Sequence, residues 1–360
     1  MKSNINLIFQ ILALFTFTFY AYSTFLAIYF TLRILFWDRL ALVGFIGNFI
    51  PWIFLPIFTF PIISFFLKNK FFFVISCCAV LIILGWFHVK YYSPKVFDKV
   101  DASPSITVLS INVGQHLVES EFLNNFILEK KADIVFLQEV THKHIKNGWR
   151  NLIETYPYQV HGPLLSDKQV GMGILSRYPI LSSKDFKLAE EGLVFQQRAN
   201  VQIGEQEIAI YNIHTTYPWF LPQKIFLSLT LPIYNYSIRS REIQTLVKLL
   251  QDENLPVIAA GDFNMTDQAQ DYSYLTQILI DSFQESGWGF GFTWPAHKNP
   301  SGEINLDQPI VRVDYIMHSD DWTSQATQVL SKTGSDHFPI TTKLFFSRTV
   351  TQAALIKNSS

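Results

Sequence analysis

The chain has 360 residues, of which 49% are hydrophobic and 16% are charged, and its formal net charge is −1. This length can hold more than one structural unit, so we do not expect a single core. Both cysteines, Cys77 and Cys78, fall in one apolar run. Their position excludes a disulfide framework or a cysteine metal site in the rest of the chain.

The composition changes near residue 90. Between residues 5 and 89 the charged side chains are those of Arg33, Asp38, Arg39, Lys68 and Lys70. Six of the 28 basic and one of the 29 acidic residues precede Tyr91, which leaves residues 91–360 with 22 basic and 28 acidic side chains and a formal net charge of −6. Tight binding to a nucleic-acid backbone usually needs a basic surplus. The balance therefore weakens nucleic acid as a substrate without excluding it.

Three apolar stretches, at about 7–32, 41–67 and 71–89, predict transmembrane helices in a membrane region of residues 1–92. About 20 mainly apolar residues are needed to cross a hydrocarbon core about 30 Å thick. The alternative is a cleaved signal peptide followed by a buried helix. A signal peptide has an apolar region of only about 7–15 residues, whereas apolar character here persists from residue 5 to residue 89.

The second apolar stretch contains Pro51, Pro56 and Pro61, which interrupt helical hydrogen bonding. A kinked or re-entrant segment therefore remains an alternative to a span at this position, although a span is favoured. Basic residues are nearly balanced between the two sides of three crossings. We expect an integral membrane protein whose polar domain faces away from the cytoplasm.

The polar part begins after a linker at 93–105 that contains proline and serine. Its β-branched and apolar runs predict strands, and a period near 3.6 predicts helices. The strands are expected at 106–112, 133–139, 173–176, 198–203, 208–214, 256–261 and 311–317, and the helices at about 118–131 and 237–251. This mixture predicts an α/β fold in which stacked sheets are flanked by helices.

Polar residues fall at the ends of these runs. They are Asn112, Glu139, His214, Asp262, Asn264, Asp314, Asp336 and His337. In layered α/β folds such ends converge on one cleft. Carboxylate and amide oxygens suit Mg²⁺ or Mn²⁺, so the pattern predicts a divalent-metal site.

Each motif also has a simpler interpretation. Gly261-Asp-Phe-Asn264 on its own is typical of a turn, and Ser335-Asp-His337 is typical of a capping turn. A single histidine such as His214 is more often structural. Asp314 is harder to explain this way, because a carboxylate in a buried strand needs a partner. The ordered set favours a catalytic site.

That ordered set resembles the endonuclease/exonuclease/phosphatase superfamily, which includes pancreatic deoxyribonuclease, exonuclease III-type enzymes, neutral sphingomyelinases and inositol-phosphate phosphatases. The matching segments are 110–112, 133–139, 173–177, 212–214, 261–264, 312–316 and 335–337. They occur in the family's order and place a catalytic domain at 106–346, followed by a tail at 347–360. The membrane region lies outside the resemblance.

The resemblance implies a four-layered α/β sandwich with the site at one edge of two packed sheets. It implies that Glu139 is the main metal carboxylate, with Asn112 and Asp336 close to the same Mg²⁺ or Mn²⁺. Asp262 is then expected to position or deprotonate the attacking water, and Asn264 to hold the phosphate or that water.

The remaining roles that the resemblance implies concern the phosphate. His337 is expected to contact a phosphoryl oxygen, while Asp314 fixes its tautomer. His214 and Arg198 are expected to be further phosphate contacts. An oriented imidazole of this kind does not require the aspartate to change protonation.

Phe292-Thr-Trp-Pro295 and Arg312-Val-Asp314 resemble bacterial membrane-attached members of the family, which suggests the bacterial cytoplasmic membrane. The expected function is a membrane-anchored, metal-dependent phosphoesterase whose partners are the bilayer and a phosphodiester, from a lipid headgroup or from nucleic acid. A membrane-bound nuclease and a catalytically silent receptor or scaffold are the alternatives. No obligate protein partner is expected.

Residues 217–236 form the most individual segment of the polar part. Their Trp, Phe and Leu content is compatible with an apolar lip that enters the bilayer near the cleft. The simpler interpretation is a lead-in to the following helix that packs on the sheet. A lip would favour a lipid headgroup as the substrate.

Overall fold

A computed structural model describes residues 2–94, 105–114, 117–163, 170–192, 194–226, 229–298, 305–306, 308–331 and 333–346. Most of the predicted linker at 93–105 and the whole predicted tail at 347–360 lie outside these residues. So do the side chains of the predicted lip between 219 and 233. The chain divides into two units, one comprising residues 1–90, 221–234 and 268–270 and the other comprising the remaining residues.

The described helices are α1 (Lys2–Phe36), α2 (Ala41–Gly47), α3 (Ile50–Ile53), α4 (Thr59–Phe66), α5 (Lys70–Tyr91), α6 (Ser120–Lys130), α7 (Ser237–Gln251), α8 (Gln270–Leu275) and α9 (Ser282–Ser286). Shorter 3₁₀ or π turns lie at Leu55–Phe58, His144–Gly148 and Trp149–Leu152. The described strands are β1 (Ser105–Asn112), β2 (Ile134–Val140), β3 (Tyr158–His161), β4 (Gly171–Ser176), β5 (Ile180–Phe186), β6 (Gln196–Ile203), β7 (Gln206–His214), β8 (Trp219–Phe226), β9 (Leu229–Asn235), β10 (Val257–Asp262), β11 (Ile280–Asp281), β12 (His297–Lys298), β13 (Asn305–Leu306), β14 (Asp314–His318), β15 (Trp322–Val329) and β16 (Ile340–Phe346).

In the first unit, two of the described helical segments are long and apolar enough to cross a membrane, Gln10–Phe36 and Lys70–Tyr91. They coincide with the first and third predicted stretches. Between them, Ala41–Gly47 and Ile50–Phe66 meet at an angle of 81°, as in a broken span or a re-entrant loop. The middle stretch is therefore not a straight spanning helix. Pro51 lies just after the bend, where the missing N–H of proline favours a new helix start.

In the second unit, twelve of the described strands form two six-stranded mixed sheets, and β12 pairs with β13 separately. Sheet 1 has the order β15-β16-β1-β2-β4-β3, and sheet 2 has the order β11-β14-β10-β7-β6-β5. The central pairs β1–β2 and β7–β10 are parallel, and β14 runs antiparallel to β10. The carboxyl ends of β1, β2, β7 and β10 and the start of β14 carry most of the predicted site.

The two sheets pack face to face through one apolar core. Val108 and Phe136 of sheet 1 meet Ile210, Ile258 and Ile316 of sheet 2 in that core. A second core joins the opposite face of sheet 1 to α6. On α7, the buried apolar residues Ile243, Leu246 and Leu250 recur at helical spacing. Two sheets flanked by helices confirm the predicted four-layered α/β sandwich.

All nine elements predicted in the polar part are present, with bounds within about three residues. Residues 219–226 and 229–235 differ from the simpler expectation of a helix lead-in. They form β8 and β9, which pair in a two-stranded sheet of their own. Because α7 begins only at Ser237, this pair of strands is a separate element.

Candidate active site

Strand alternation brings three predicted residues onto one face. Side chains two positions apart on a strand share a face, and His214, Asp262 and Asp314 are in phase with residues of the intersheet core. Asp262 on β10 pairs with His214 on β7 and with Asp314 on β14. The three side chains therefore stand next to one another on adjacent strands, at the edge where the apolar core ends.

Glu139 reaches the same place by a break in the alternation. Leu137 packs in the outer core of sheet 1, so a regular strand would point Glu139 away from the other sheet. Glu139 instead has φ of 58°, and the pairing of β2 with β4 is irregular between Leu137 and Val140. Its Oε1 atom then lies 3.8 Å from Nε2 of His214.

Asn112 links the two carboxylates. Its Nδ2 atom donates to Oε1 of Glu139 at 3.3 Å and to Oδ2 of Asp262 at 3.1 Å. Its Oδ1 atom accepts from the backbone N–H of Gly114 at 3.0 Å. In this arrangement Asn112 orients the carboxylates, and its assignment as a metal ligand remains a prediction.

Asp336 lies beside the same turn. A Cβ atom on Gly114 would lie only 2.8 Å from Oδ1 of Asp336. Glycine at this position therefore leaves room for the carboxylate next to the loop that follows Asn112.

The loop after β10 is shaped by Gly261, which has φ of 143°. A Cβ atom there would lie 1.9 Å from the carbonyl oxygen of Ile213, so only glycine fits. The backbone N–H of Asn264 then donates to Oδ1 of Asp262 at 2.8 Å, and its Nδ2 atom donates to the carbonyl of Thr215 at 2.9 Å. The turn expected from Gly261 to Asn264 exists, and it supports Asp262 directly.

His337 is held between two aspartates. Its Nδ1 atom lies 2.9 Å from Oδ2 of Asp314, and its Nε2 atom lies 3.8 Å from Oδ2 of Asp262. Its backbone N–H donates to Oγ of Ser335 at 3.1 Å, as in the expected capping turn. The expected capping turn is therefore present at this motif, and the catalytic role of His337 remains a prediction.

Burial and charge set the protonation preferences. Burial, with a contribution from Asp314, raises the pKa of Asp262 to about 6, even though the two histidines oppose the shift. Burial lowers the pKa of His214. Burial would also lower the pKa of His337, but the carboxylates of Asp314 and Asp262 overcome it and raise that pKa well above the usual value. The site thus contains a carboxylate suited to accept a proton and an imidazole that retains one.

Two places in the site could hold a divalent cation: the group Asp262, Asp314 and His337, and the carboxylate of Glu139. Ligand atoms of Asp262, Asp314 and His337 all lie within 4.8 Å of one another. A protonated imidazole cannot bind a metal, and the raised pKa of His337 favours protonation. Glu139 is less buried than Asp262, and the amide of Asn112 donates to both carboxylates. The donor set, rich in carboxylates, fits Mg²⁺ or Mn²⁺, with Glu139 the more suitable first ligand.

Arg198 is not brought to this group. It pairs with Tyr211 on β7, so both side chains lie on the face of sheet 2 opposite the site. There Nε of Arg198 donates to Oε2 of Glu253 at 2.8 Å, and Nη2 lies 2.7 Å from the same oxygen. The neighbouring Gln197 points inwards and accepts from Asn212 at 3.1 Å. Arg198 therefore does not face the other site residues, in contrast to its expected contact with the phosphate.

Two supporting residues were not assigned a role from the sequence. Nε2 of Gln138 donates to Oδ1 of Asn212 at 2.8 Å and so joins the two sheets next to Glu139. Nδ2 of Asn212 donates to the carbonyls of Leu137 and Gly173 at 3.1 and 2.9 Å. Their positions in the matching segments could have identified them from the sequence, because Gln138 directly precedes Glu139 and Asn212 lies two residues before His214.

Thr293 is a third such residue. Its Oγ1 atom accepts from the backbone N–H groups of Val313 and Asp314 at 3.2 and 3.3 Å. Its own carbonyl accepts from the N–H of Phe338 at 2.8 Å. The Phe292-Thr-Trp-Pro295 motif thus touches both sides of the Asp314–His337 pair.

Residues 109–337 match the endonuclease/exonuclease/phosphatase family, and the chain belongs to that family. Members of this family are hydrolases that act on phosphoester bonds, and so is this protein. A search of curated proteins gives no match.

Solved structures confirm the fold. A family protein from Leptotrichia buccalis is 19% identical with a TM-score of 0.52 over 67% of this chain and 100% of that chain. One from Bacteroides vulgatus is 17% identical with a TM-score of 0.52 over 68% and 100%. TDP2 of D. rerio, solved with a single-strand DNA product, is 16% identical with a TM-score of 0.53 over 67% and 98%.

Proposed function

We propose that the protein is a membrane-anchored phosphodiesterase in which a bound Mg²⁺ or Mn²⁺ and an Asp–His pair act on one phosphate. The observation that carries this proposal is the convergence on Oδ2 of Asp262. Nδ2 of Asn112 lies 3.1 Å from it, Nε2 of His214 lies 3.7 Å from it, and Nε2 of His337 lies 3.8 Å from it. One candidate proton acceptor and three side-chain nitrogen atoms thus meet at one place, as phosphate chemistry requires.

The residues divide the work of the reaction. Asp262 accepts a proton from the attacking water, because its raised pKa makes it a competent base near neutral pH. His337, held by Asp314, donates to a phosphoryl oxygen as negative charge develops there. A metal held by Glu139 and Asp336 would supply Lewis-acid neutralisation of the phosphate charge.

His214 and Asn264 complete the proposed phosphate contacts. The imidazole of His214 faces both Glu139 and Asp262, and Gln196 fixes its backbone through a pair of hydrogen bonds at 2.6 and 2.9 Å. The amide of Asn264 lies next to Asp262 at 3.2 Å. We assign both side chains to contacts with the phosphate, and we assign the proton of the attacking water to Asp262.

A lipid headgroup is the favoured source of the phosphodiester. Within the first unit, Nδ2 of Asn48 donates to the hydroxyl of Tyr234 at 3.1 Å, and the rings of Phe45 and Tyr234 are 5.7 Å apart. Tyr234 lies on β9, the second strand of the predicted lip, and its partners lie at the apolar α2. The contact supports a lip that belongs with the membrane region.

We also propose that the anchor lies in the bacterial cytoplasmic membrane with the catalytic domain outside the cytoplasm. Two spans put the amino terminus and the catalytic domain on one side, whereas three put them on opposite sides. Reporter fusions at each end of the full chain distinguish these arrangements. Reporters that place the carboxyl-terminal end in the cytoplasm would contradict the proposal.

The decisive experiment is a substrate screen of the purified full chain with Mg²⁺ and Mn²⁺. Plasmid DNA, RNA, phospholipid vesicles and sphingomyelin vesicles are compared, with Asp262→Asn as the inactive control. We expect metal-dependent release of headgroups from vesicles that the control lacks. Cleavage of nucleic acid alone would establish the nuclease alternative, and no turnover on any substrate would favour the silent scaffold.

A further inference from the structure

The second unit carries an exposed tryptophan outside the active site, supported by a cluster of buried and partly buried aromatic rings. We call residues 287–294 the aromatic strap. Trp288 is 70% exposed, and its ring lies 4.8 Å from the ring of Tyr92. Phe290 lies 4.8 Å from Tyr91 and stacks on Phe292 at 5.0 Å. A large exposed indole that belongs to an aromatic cluster calls for an apolar or interfacial partner.

The position of this cluster along the chain identifies that partner. Tyr91 is the last residue of α5, and with Tyr92 it belongs to the second unit. A helix of 22 residues is about 33 Å long, which is enough to cross a hydrocarbon core and place its end at the headgroup level. The backbone N–H of Gly289 donates to the carbonyl of Tyr91 at 2.7 Å, so the strap is hydrogen-bonded to the end of that helix.

The chemistry of the cluster fits that depth. Trp and Tyr concentrate at membrane–water interfaces, because each combines a large apolar ring with one polar group. The cluster combines Trp288, Tyr91 and Tyr92 with the wholly apolar Phe290. A soluble protein partner would not explain why this aromatic cluster lies directly at the end of α5, whose length and composition fit a membrane span.

The other end of the strap reaches the catalytic pair. Oγ1 of Thr293 accepts from the backbone N–H of Asp314 at 3.3 Å, and the ring of Trp294 lies 6.5 Å from that of His337. The N–H of Ala296, just beyond the strap, donates to the carbonyl of Asp336 at 2.7 Å. A few residues of continuous chain therefore join the aromatic surface to three site residues.

We propose that Trp288, with the partly exposed Phe290 and Tyr92 beside it, binds the headgroup layer of the bilayer in which α5 is anchored, while the buried Tyr91 supports the cluster. The strap thereby connects the residue that meets the headgroups to Asp314 and His337 through Thr293 and Trp294. This inference rests on the proposed membrane anchor and adds a second attachment of the catalytic domain to the same membrane.

The test measures depth and does not require activity. The native cysteines, Cys77 and Cys78, are the only ones in the chain. In a Cys77→Ser/Cys78→Ser background, Trp288→Cys provides one site for an environment-sensitive fluorophore, and Leu181→Cys on β5, where Leu181 is 54% exposed, provides the control. The full chains are reconstituted in phosphatidylcholine–phosphatidylglycerol vesicles with spin labels either near the headgroup or near the end of the acyl chain.

We expect the shallow spin label to quench the probe at position 288 at least about twofold more than the deep one, and neither to quench the probe at position 181. In a separate Cys77→Ser chain that keeps Cys78, a probe on Cys78 in α5 reports the anchor itself and should be quenched by the deep label. Quenching at Cys78 without quenching at position 288 would overturn this inference alone. Absence of quenching at Cys78 would overturn both the anchor and the inference.

Activity provides a second measurement. Trp288→Ser should lower the ratio of the rate on vesicles to the rate on a soluble phosphodiester about tenfold, because misplacement by an ångström is costly in catalysis. Leu181→Ser should leave that ratio unchanged. An unchanged ratio in Trp288→Ser would show that the surface does not hold the site against its substrate. Quenching and activity therefore separate failure of this inference from failure of the phosphodiesterase proposal.

Discussion

Nδ1 of His337 lies 2.9 Å from Oδ2 of Asp314, and a buried threonine, Thr293, accepts from the backbone N–H of that aspartate. The imidazole therefore has one fixed orientation, with its Nε2 atom facing Asp262. An imidazole fixed in this way can bind and protonate a phosphoryl oxygen without rearranging during the reaction.

Asp314→Asn should lower kcat for a phosphodiester by about 10²- to 10⁴-fold, because the amide cannot hold the protonated imidazole. Steady-state kinetics with saturating Mn²⁺ measure the effect. Asp320→Asn changes the same residue type at an exposed position and should retain full activity. Equal rates for the two variants would remove the Asp314–His337 pair from the mechanism.

Glu139→Gln should weaken Mn²⁺ binding at least about tenfold, since the charge of the main metal carboxylate is lost while its shape is kept. Electron paramagnetic resonance of free Mn²⁺ gives the affinity directly. Glu129→Gln, at an exposed position of α6, is the matched control. If Glu139→Gln binds like the wild type and Asp314→Asn does not, the metal lies among Asp262, Asp314 and His337 instead.

Gly261→Ala should destabilise the protein by about 3 kcal/mol or more, because the new Cβ atom meets the carbonyl of Ile213 in a backbone conformation that alanine disfavours. Thermal unfolding in detergent measures the loss. Gly204→Ala is the matched control, since Gly204 also has a positive φ of 59° but no atom within 4 Å of the added methyl group. A loss at position 204 as large as that at position 261 would show that the close approach is unimportant.

Glu285 should make stability depend on pH in the acid range. Burial would raise its pKa, but hydrogen bonds from His318 at 3.1 Å and from the backbone and hydroxyl of Ser324 at 2.7 and 2.8 Å hold that pKa below its ordinary value of 4.5. A lowered carboxyl pKa adds stability that is fully present above the unfolded value and is lost as pH falls through the folded one.

The variant Glu285→Gln should therefore be about 1–3 kcal/mol less stable at pH 7 and should lose less stability between about pH 5 and pH 3 than the wild type. Unfolding in detergent across this range is the measurement. Glu205→Gln, at an exposed position, should follow the wild-type curve. If the stability of Glu285→Gln and of the wild type changed with pH in parallel, the ionisation of Glu285 would not contribute to stability.

Much of the fold follows from the sequence because its patterns are local. Period-two runs such as residues 208–214 define strands, and a period near 3.6 defines the helix at Ser237–Gln251. Because side chains alternate along a strand, Asp262 lies on the same inner face as Ile258, and the sequence alone predicts this orientation. The apolar length of α1 and α5 likewise predicts helices able to span a membrane.

Other features depend on tertiary structure because they break a local pattern or join distant segments. The positive φ of Glu139 turns its side chain towards the other sheet. Strand alternation places Gln197, and not Arg198, on the face of sheet 2 that carries the site. The contact of Phe290 with Tyr91 joins residues about 200 positions apart, which no periodicity encodes. The sequence by itself determined the elements, the family and the chemical character of the site. Only the packing of the two sheets decided which oxygen faces which nitrogen, since that requires long-range contacts to fix backbone angles that local preference leaves free.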